Sequence, residues 1–530
     1  MTKHSFSITW LPLIILCLAQ FLASADNVTL SIATQTLISD LHASLAQVSI
    51  ANTMYPLIAG TFMVAGGMLG CIWGWDILFR LGCLIFVFAE IFAFFSSSIT
   101  MFIWGARLLA GIGGSLMIPA VFGLISSLYY KRQRAIAFGA LGAASGISFA
   151  CGPILCGYLL DHIGWKIAFI SLGFLALFIF ILSFLITTSS QKRSVISFDI
   201  FGFLLGTLGL FLTIFGILRI PVWGLVSPFN PEVTIFGLSP SPLLILFGLL
   251  ILAIMLRWER YFEAKTGHAL FPHVFLHTRL VRLGLYLTGW IFFTYSSAIF
   301  TVVSFIQVIH HISATQTGLL MLPFAISLSG CSLVLPLLIK QRNPRRQCRL
   351  GLLIGMSGAL LAISSLHNHN FNLWTIVPSL CLIGASMGVI AANAPMLVTS
   401  GSGIQHAEQS GGVQAASRDV GQALGMALTS TVMLTFLTFS MKYQIDHDLS
   451  VSLLSRTILH QLIYIPWSGD NAFYQLMLDQ NIPSRDIPIL MEHYQKSRIQ
   501  STHYGLFAMV IATLVLFFRL HHIPETTDEK

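Results

Sequence analysis

An all-α membrane protein of about fourteen helices is the fold class that this sequence predicts, and three observations carry it. Of 530 residues, 55% are hydrophobic and only 9% charged. Soluble domains carry about 25% charged residues, so this chain cannot cover a water-facing surface. Apolar runs near spanning length recur from end to end, unlike the short alternating strands of a membrane barrel. The remaining charges gather between those runs.

The runs lie at 9–30, 50–73, 77–97, 101–127, 135–158, 166–187, 199–219, 234–256, 283–307, 315–339, 350–366, 373–394, 412–440 and 503–520. The first can be parsed in two ways. Lys3, the apolar run and Ala23-Ser24-Ala25 together describe a secretory signal peptide cleaved before Asp26. As a span, Leu11 to Leu30 rises about 30 Å, one hydrocarbon thickness, and places Asp26 inside the bilayer. Cleavage would leave an odd number of spans, so the membrane-helix reading is preferred and Asp26 is retained.

The second and third runs flank a short connection, GMLGCIWGWD. The fourth carries Arg107, Gly111, Gly113 and Gly114. In the fifth, Gly139, Gly142, Gly146, Gly152 and Gly157 remove side chains, so that another helix backbone can approach closely. Pro153 frees a carbonyl there and bends the helix. Pro221, Pro228, Pro231 and Pro240 crowd between the seventh and eighth runs and blur their ends. The thirteenth carries Gly421-x-x-x-Gly425, again a packing signal. Residues 441–502 form the one long connection, with five basic and six acidic residues, long enough for small helices of its own.

Charge sets the orientation. With the N-terminus in the cytoplasm, the short inner connections hold Lys131, Arg132, Arg134, Lys192, Arg193, Arg257, Arg260, Lys265, Arg279, Arg282, Lys340, Arg342, Arg345, Arg346 and Arg349. The short outer ones hold only Lys166 and Arg219. This positive-inside bias places both termini in the cytoplasm and accounts for the net charge of +8, which removes the case for nucleic-acid binding. The eight cysteines show no C-x-x-C pairing and read as small buried hydrophobes. The His pairs at 310–311 and 521–522, and HNHN at 367–370, read as interfacial helix ends. No metal site is expected.

Asp26, Glu90 and Arg107 are the ionisable residues placed well inside apolar spans. Asp26 and Glu90 lie about 22 and 20 Å from the inner ends of their spans, and Arg107 about 9 Å from the outer end of its own. All three therefore share the outer half. A buried carboxylate is pushed towards the neutral form by desolvation and towards the ionised form by a nearby cation. A group that exchanges those environments can carry a proton. Asp26 is the first candidate for coupling, with Arg107 as partner and Glu90 as the weaker third member; a static ion pair that only orients helices is the plainer reading. Asn27, Gln307 and Asn393 are candidate polar contributors to a substrate cavity, or else helix–helix hydrogen bonds.

Six stretches in order resemble the major facilitator superfamily, and within it the fourteen-span drug:proton antiporters. ADNVTLSIATQTLISDL is similar to that family's first-helix motif, with Asp26 on its acidic position. RLLAGIGGSLMIP (107–119) resembles the fourth-helix motif, with Ala110 for the usual Gln. GISFACGPILCGYLLDHIGWK (146–166) resembles the fifth-helix antiporter motif, with Cys156 for one Gly. FDIFGFLLGTLGL opens the first extra span, and FIQVIHHISATQTGLLMLP (305–323) and SGGVQAASRDVGQALG (410–425) resemble later family stretches.

The resemblance implies two pseudo-symmetric six-helix bundles, at 1–190 and 283–530, with two extra helices and a linker at 191–282. It implies gating or packing roles for Gly67, Gly74, Asp76, Gly146, Gly152, Pro153, Gly157, Arg418 and Asp419. It also implies proton-coupled export of small amphipathic or cationic compounds across the cytoplasmic (inner) membrane by alternating access, driven by the proton gradient with no cofactor. The loop between the second and third spans departs from the family pattern: Cys71 replaces an Asp, and Trp75-Asp76 replace a basic pair. Either Trp73 and Trp75 anchor this loop at the membrane interface, or the inner gate is biased differently.

The alternative is a transporter of one metabolite such as a siderophore, in either direction. A membrane-embedded enzyme is the third class; Asp446, His447, Asp448, His460 and Asp470 in the outer connection form no catalytic arrangement for it. The resemblance leaves room for a periplasmic adaptor in two-membrane bacteria, and no residue here specifies one.

Overall fold

A computed structural model describes residues 4–520, except 34–35, 38–39, 44, 187–198, 227, 229–233, 236, 267–268, 270, 310–311, 313, 339–343, 367–372, 404–409 and 463. Fourteen of the described helices are long and apolar enough to cross a membrane. In chain order they are α1 (His4–Ile32), α2 (Leu45–Trp73), α3 (Trp75–Phe95), α4 (Ile99–Leu128), α5 (Lys131–His162), α6 (Trp165–Ser183), α7 (Ile200–Trp223) and α8 (Pro240–Thr266). They continue as α9 (Arg279–Ser304), α10 (Leu322–Leu338), α11 (Pro344–Ser365), α12 (Trp374–Gly401) and α13 (Ser410–His447). Two short helices, α14 (Leu453–Gln461) and α15 (Asp470–Asp479), precede the last span, α16 (Ile487–Arg519). Every apolar run read from the sequence is one of the fourteen. α1 passes through Ala25 and Asp26 without a break.

One bundle is formed by α1–α6 and another by α9–α13 with α16. They meet where α5 packs on α10 and where α13 packs on α2 and α4. The extra pair, α7 and α8, docks through α7 onto α2 and α13, one helix from each bundle. Asp199 starts α7 by accepting the Gly202 amide at 2.9 Å, and its other oxygen accepts the Trp258 indole of α8 at 2.8 Å. α8 leaves Leu246, Phe247, Leu249, Leu250 and Ile254 exposed, an apolar face suited to lipid.

The connection 441–502 does hold small helices of its own, but the spans on either side of it run further than the sequence predicts, to His447 and from Ile487. α13 and α16 have 38 and 33 residues, about 57 and 50 Å, well beyond a hydrocarbon core of about 30 Å. Their projecting ends pack with α14 and α15 around Met441, Ile445, Leu459, Phe473, Met477 and Leu490. A small helical subdomain with its own core therefore stands on this face. Arg498, almost fully buried, is held in it by Asp470 and by the Ser468 carbonyl.

Histidine–carboxylate contacts lace the same subdomain: His460 Nε2 lies 2.8 Å from Asp446 Oδ1, and His493 Nε2 2.7 Å from Asp448 Oδ2. Hydrogen bonds from the Ser450 hydroxyl and amide, and then from His493, hold the Asp448 carboxyl well below its usual range, at about 2. Because the folded value is depressed, the contribution is present above the ordinary value of 3.8 and is lost as pH falls through about 2. Protection of the Ser450 amide, corrected for intrinsic exchange, should therefore fall across that window in the wild type and not in Asp448→Asn. A flat profile in the wild type would show that this turn does not depend on the charge.

The Gly67–Asp76 connection takes a form that the interface-anchor reading only half describes. Trp73 is 44% exposed, whereas Trp75 is 4% exposed. A Cβ on Gly70 of α2, or on Gly123 of α4, would overlap the Trp75 ring, so these two glycines form its slot. Gly74 turns the chain at φ 99°, a conformation that glycine takes without strain. Asp76 then opens α3 and pairs with Arg80 at 3.4 Å. Trp75→Ala should destabilise the protein by about 3–5 kcal/mol, as for other buried Trp truncations. An unchanged melting temperature in detergent would rule out that role.

Candidate functional site

Three helices of the first bundle bring the intramembrane charges together. Both guanidinium arms of Arg107 donate to Asp26, Nη1 to Oδ1 at 2.8 Å and Nη2 to Oδ2 at 2.7 Å. Both side chains are fully buried. Arg107 ends a π-helical turn, Phe102–Arg107, inside α4. Such a turn inserts one extra residue and re-aims the side chains after it. The guanidinium also lies 5.6 Å from the Tyr55 ring of α2 and 5.9 Å from the Phe169 ring of α6.

Glu90, on α3, is 1% exposed, and neither of its oxygens has a hydrogen-bond partner. Asp26 and Arg107 are among the charges that act on it. Across from it, a Cβ on Gly173 of α6 would stand 2.9 Å from the Glu90 Cβ, so the carboxylate is enclosed between two helices. The Tyr55 hydroxyl is likewise buried without a hydrogen bond. Two carboxylates and one guanidinium thus share a buried site.

A second polar group lies between the bundles. Arg418 of α13 donates to Gln20 Oε1 of α1 at 3.4 Å, and Gln20 donates to Ser145 Oγ of α5 at 2.9 Å. Arg418 also sits 4.8 Å above the Phe292 ring of α9 and 3.5 Å from Asp419. Arg418, Gln20, Ser145 and Thr288 line a central cavity of about 60 Å³, otherwise walled by apolar side chains such as Phe122, Phe138, Phe149 and Met387. That is room for a few waters, far below the 300–1,000 Å³ of a typical ligand pocket. Phe149 of α5, one of the lining residues, stacks on Tyr295 of α9 at 3.8 Å.

The bundles also meet through close backbone contact. A Cβ on Gly412 of α13 would lie 2.8 Å from the Met63 carbonyl and 2.9 Å from the Gly67 Cα of α2. One on Gly411 would lie 3.0 Å from the Pro119 carbonyl of α4. Along α5, Gly139 and Gly142 face Ser332 of α10, and Gly146 faces Ser329. Those two serines donate back across the seam, to Gly139 at 2.8 Å and Ala143 at 3.0 Å. Gly152 instead meets Val28 of α1 within the first bundle, and Gly157 is buried.

Two of the cavity residues expected from sequence lie elsewhere. Asn27 donates to Ala23 and Asn393 to Val389, each within its own helix, and neither lines the cavity. Gln307 is on a π-helical turn, Phe305–Ile309, and its side chain, like that of Pro153, falls outside the described residues. Gln20 and Tyr55 escaped the sequence reading; Gln20 carried one signal, an amide in the middle of an apolar run. Among the described residues, no group of three or more His, Cys, Asp or Glu could hold a metal ion.

Residues 16–426 match the Major Facilitator Superfamily. The chain belongs to that superfamily. It is 26% identical over 434 residues to the tetracenomycin C resistance and export protein of Streptomyces glaucescens, covering 80% of this chain and 76% of that one. It is also 26% identical over 428 residues to the multidrug transporter protein MdtP of Bacillus subtilis, covering 79% and 74%. Among solved structures, the proton:xylose symporter XylE aligns with a TM-score of 0.58 at 14% identity, over 98% of this chain and 96% of that one. Human MFSD10, an organic anion transporter, aligns with a TM-score of 0.58 at 12% identity, over 97% and 98%. These two likenesses establish the fold alone. As a major facilitator, the protein is a multi-pass secondary transporter of small molecules.

Proposed function

We propose that the protein exports small amphipathic compounds across the cytoplasmic membrane in exchange for protons, with both termini in the cytoplasm. The observation that carries the coupling is the buried cluster of Asp26, Arg107 and Glu90. With both carboxylates ionised the cluster bears a net charge of −1 away from water, a costly state. Uptake of one proton makes it neutral. Arg107 then has two acids between which to divide its hydrogen bonds, and a rocking bundle that shifts Arg107 exchanges the proton-holding group. Moving one charge through the membrane field is worth about 2.3 kcal/mol per 100 mV.

Export is supported by the relatives named for resistance and efflux, the tetracenomycin C protein and MdtP. The cytoplasmic placement of the termini is supported by the basic short connections. A one-metabolite reading draws on the riboflavin transporter RibZ of Clostridioides difficile, 31% identical over 199 residues, or 37% of this chain.

The test is accumulation of a panel of fluorescent amphipathic compounds in a strain lacking its own exporters, with and without a proton ionophore. Wild type should lower accumulation, the ionophore should abolish the effect, and Asp26→Asn should fail although present in the membrane. Export by Asp26→Asn that still responds to the ionophore would remove Asp26 from the coupling site.

A further inference from the structure

Among the described residues that line the central cavity, one side chain is charged, and it is a cation. Arg418 is 3% exposed, and its Nε has no hydrogen bond. Among the described residues its one hydrogen bond is the long one to Gln20. Asp419 is the nearest counter-charge, at 3.5 Å, but Asp419 is not among the cavity-lining residues. Its Oδ2, which makes no hydrogen bond, lies 3.6 Å from where a Cβ on Gly60 of α2 would stand. The guanidinium is therefore a fork whose Nε faces Asp419 and whose Nη1 makes one long hydrogen bond, held over Phe292 beside an apolar chamber.

A lipophilic cation entering this chamber would meet the guanidinium first, with the Asp419 carboxylate behind it and outside the lining, so the nearer charge repels it. A planar acid would find the opposite: two parallel donors for an acidic group, and aromatic walls for its ring. We infer that the cavity takes aromatic anions, with Arg418 as the residue that binds the acidic group and Gln20 as the residue that orients Arg418. This inference rests on the transport reading above and names its substrate class. The chamber must widen to admit such a ligand. The seam that Gln20 and Arg418 span lies between α1 and α13, so separation of the bundles frees the guanidinium as it enlarges the space.

The test is equilibrium binding to the purified full chain in detergent, using 2-naphthoate against 2-naphthylmethylammonium, two probes that share a ring and differ in charge. Wild type should bind naphthoate at least about tenfold more tightly, the discrimination expected of one charge-assisted pair. Arg418→Gln should lose that preference, Arg418→Lys should keep part of it, and Asp419→Asn should raise naphthoate affinity by releasing the guanidinium. Melting temperature and monodispersity verify that each variant is folded. Equal or tighter binding of the cation by wild type overturns the inference, as does binding of neither probe. So does naphthoate affinity unchanged in folded Arg418→Gln. Proton-driven transport of the cation with no dependence on Arg418 would sink this inference and leave export standing. Anion binding without any proton-driven transport would sink the export reading and leave the site.

Discussion

Arg107→Met should be more damaging than Arg107→Met combined with Asp26→Asn. The single change leaves Asp26 and Glu90 buried with no cation between them, whereas in the native protein both Asp26 oxygens are bonded. Breaking a buried pair by removing one partner costs about 3–5 kcal/mol, and removing both together is often close to neutral. The double variant leaves only Glu90, which is unbonded already. The expected order of melting temperature in detergent is wild type, then the double variant, then Arg107→Met, with transport lost in both. If the double variant melts no higher than the single one, the ion pair is not what the two residues contribute. If Arg107→Met retains transport, the cluster is not the coupling site.

Gly412→Leu should leave the bundles folded and stop the cycle. Gly412 crosses from α13 to α2, which belong to opposite bundles, so a side chain there wedges the seam apart. Gly421 provides the contrast. A Cβ on it would overlap the Gly289 backbone of α9, inside the second bundle. Overpacking at such a contact costs about 1–3 kcal/mol or more, and Gly421→Leu should therefore lower the yield of folded protein. Gly412→Leu should instead leave the yield near wild type, cut transport at least about tenfold, and raise thiol labelling of a cysteine introduced at Ala391 on the cavity wall. The tenfold figure corresponds to a shift of about 1.4 kcal/mol in the seam equilibrium. Wild-type transport by a well-folded Gly412→Leu would show that this crossing is no gate.

Much of the architecture was legible in one dimension, and particular residues show where legibility stopped. Depth could be counted from helical rise, so the shared level of Asp26, Glu90 and Arg107 was readable before any coordinates. Their rotation was not: the π-helical turn ahead of Arg107 aims its fork at Asp26, and no residue pattern announced it. The last helix was read as starting at 503 and in fact starts at Ile487. Hydropathy marks the part of a helix that lipid covers, and the projecting turns are covered by other protein. Trp75 misled for a related reason. A tryptophan beside a loop reads as an interface anchor, and only Gly70 and Gly123 reveal the slot that holds it.

The sequence by itself determined how many helices are long and apolar enough to cross, roughly where they lie along the chain, and that Asp26, Glu90 and Arg107 carry charge into the apolar layer. These are consequences of transfer free energy and of backbone hydrogen bonding in lipid, both of which are local along the chain. Only the tertiary structure decided which polar groups meet. Gln20 and Arg418 are 398 residues apart and share one cavity, while Asn27, next to Asp26, turns back on its own helix. Facing depends on helix rotation and on packing between distant segments, where van der Waals fit and interhelical hydrogen bonds select one partner among many.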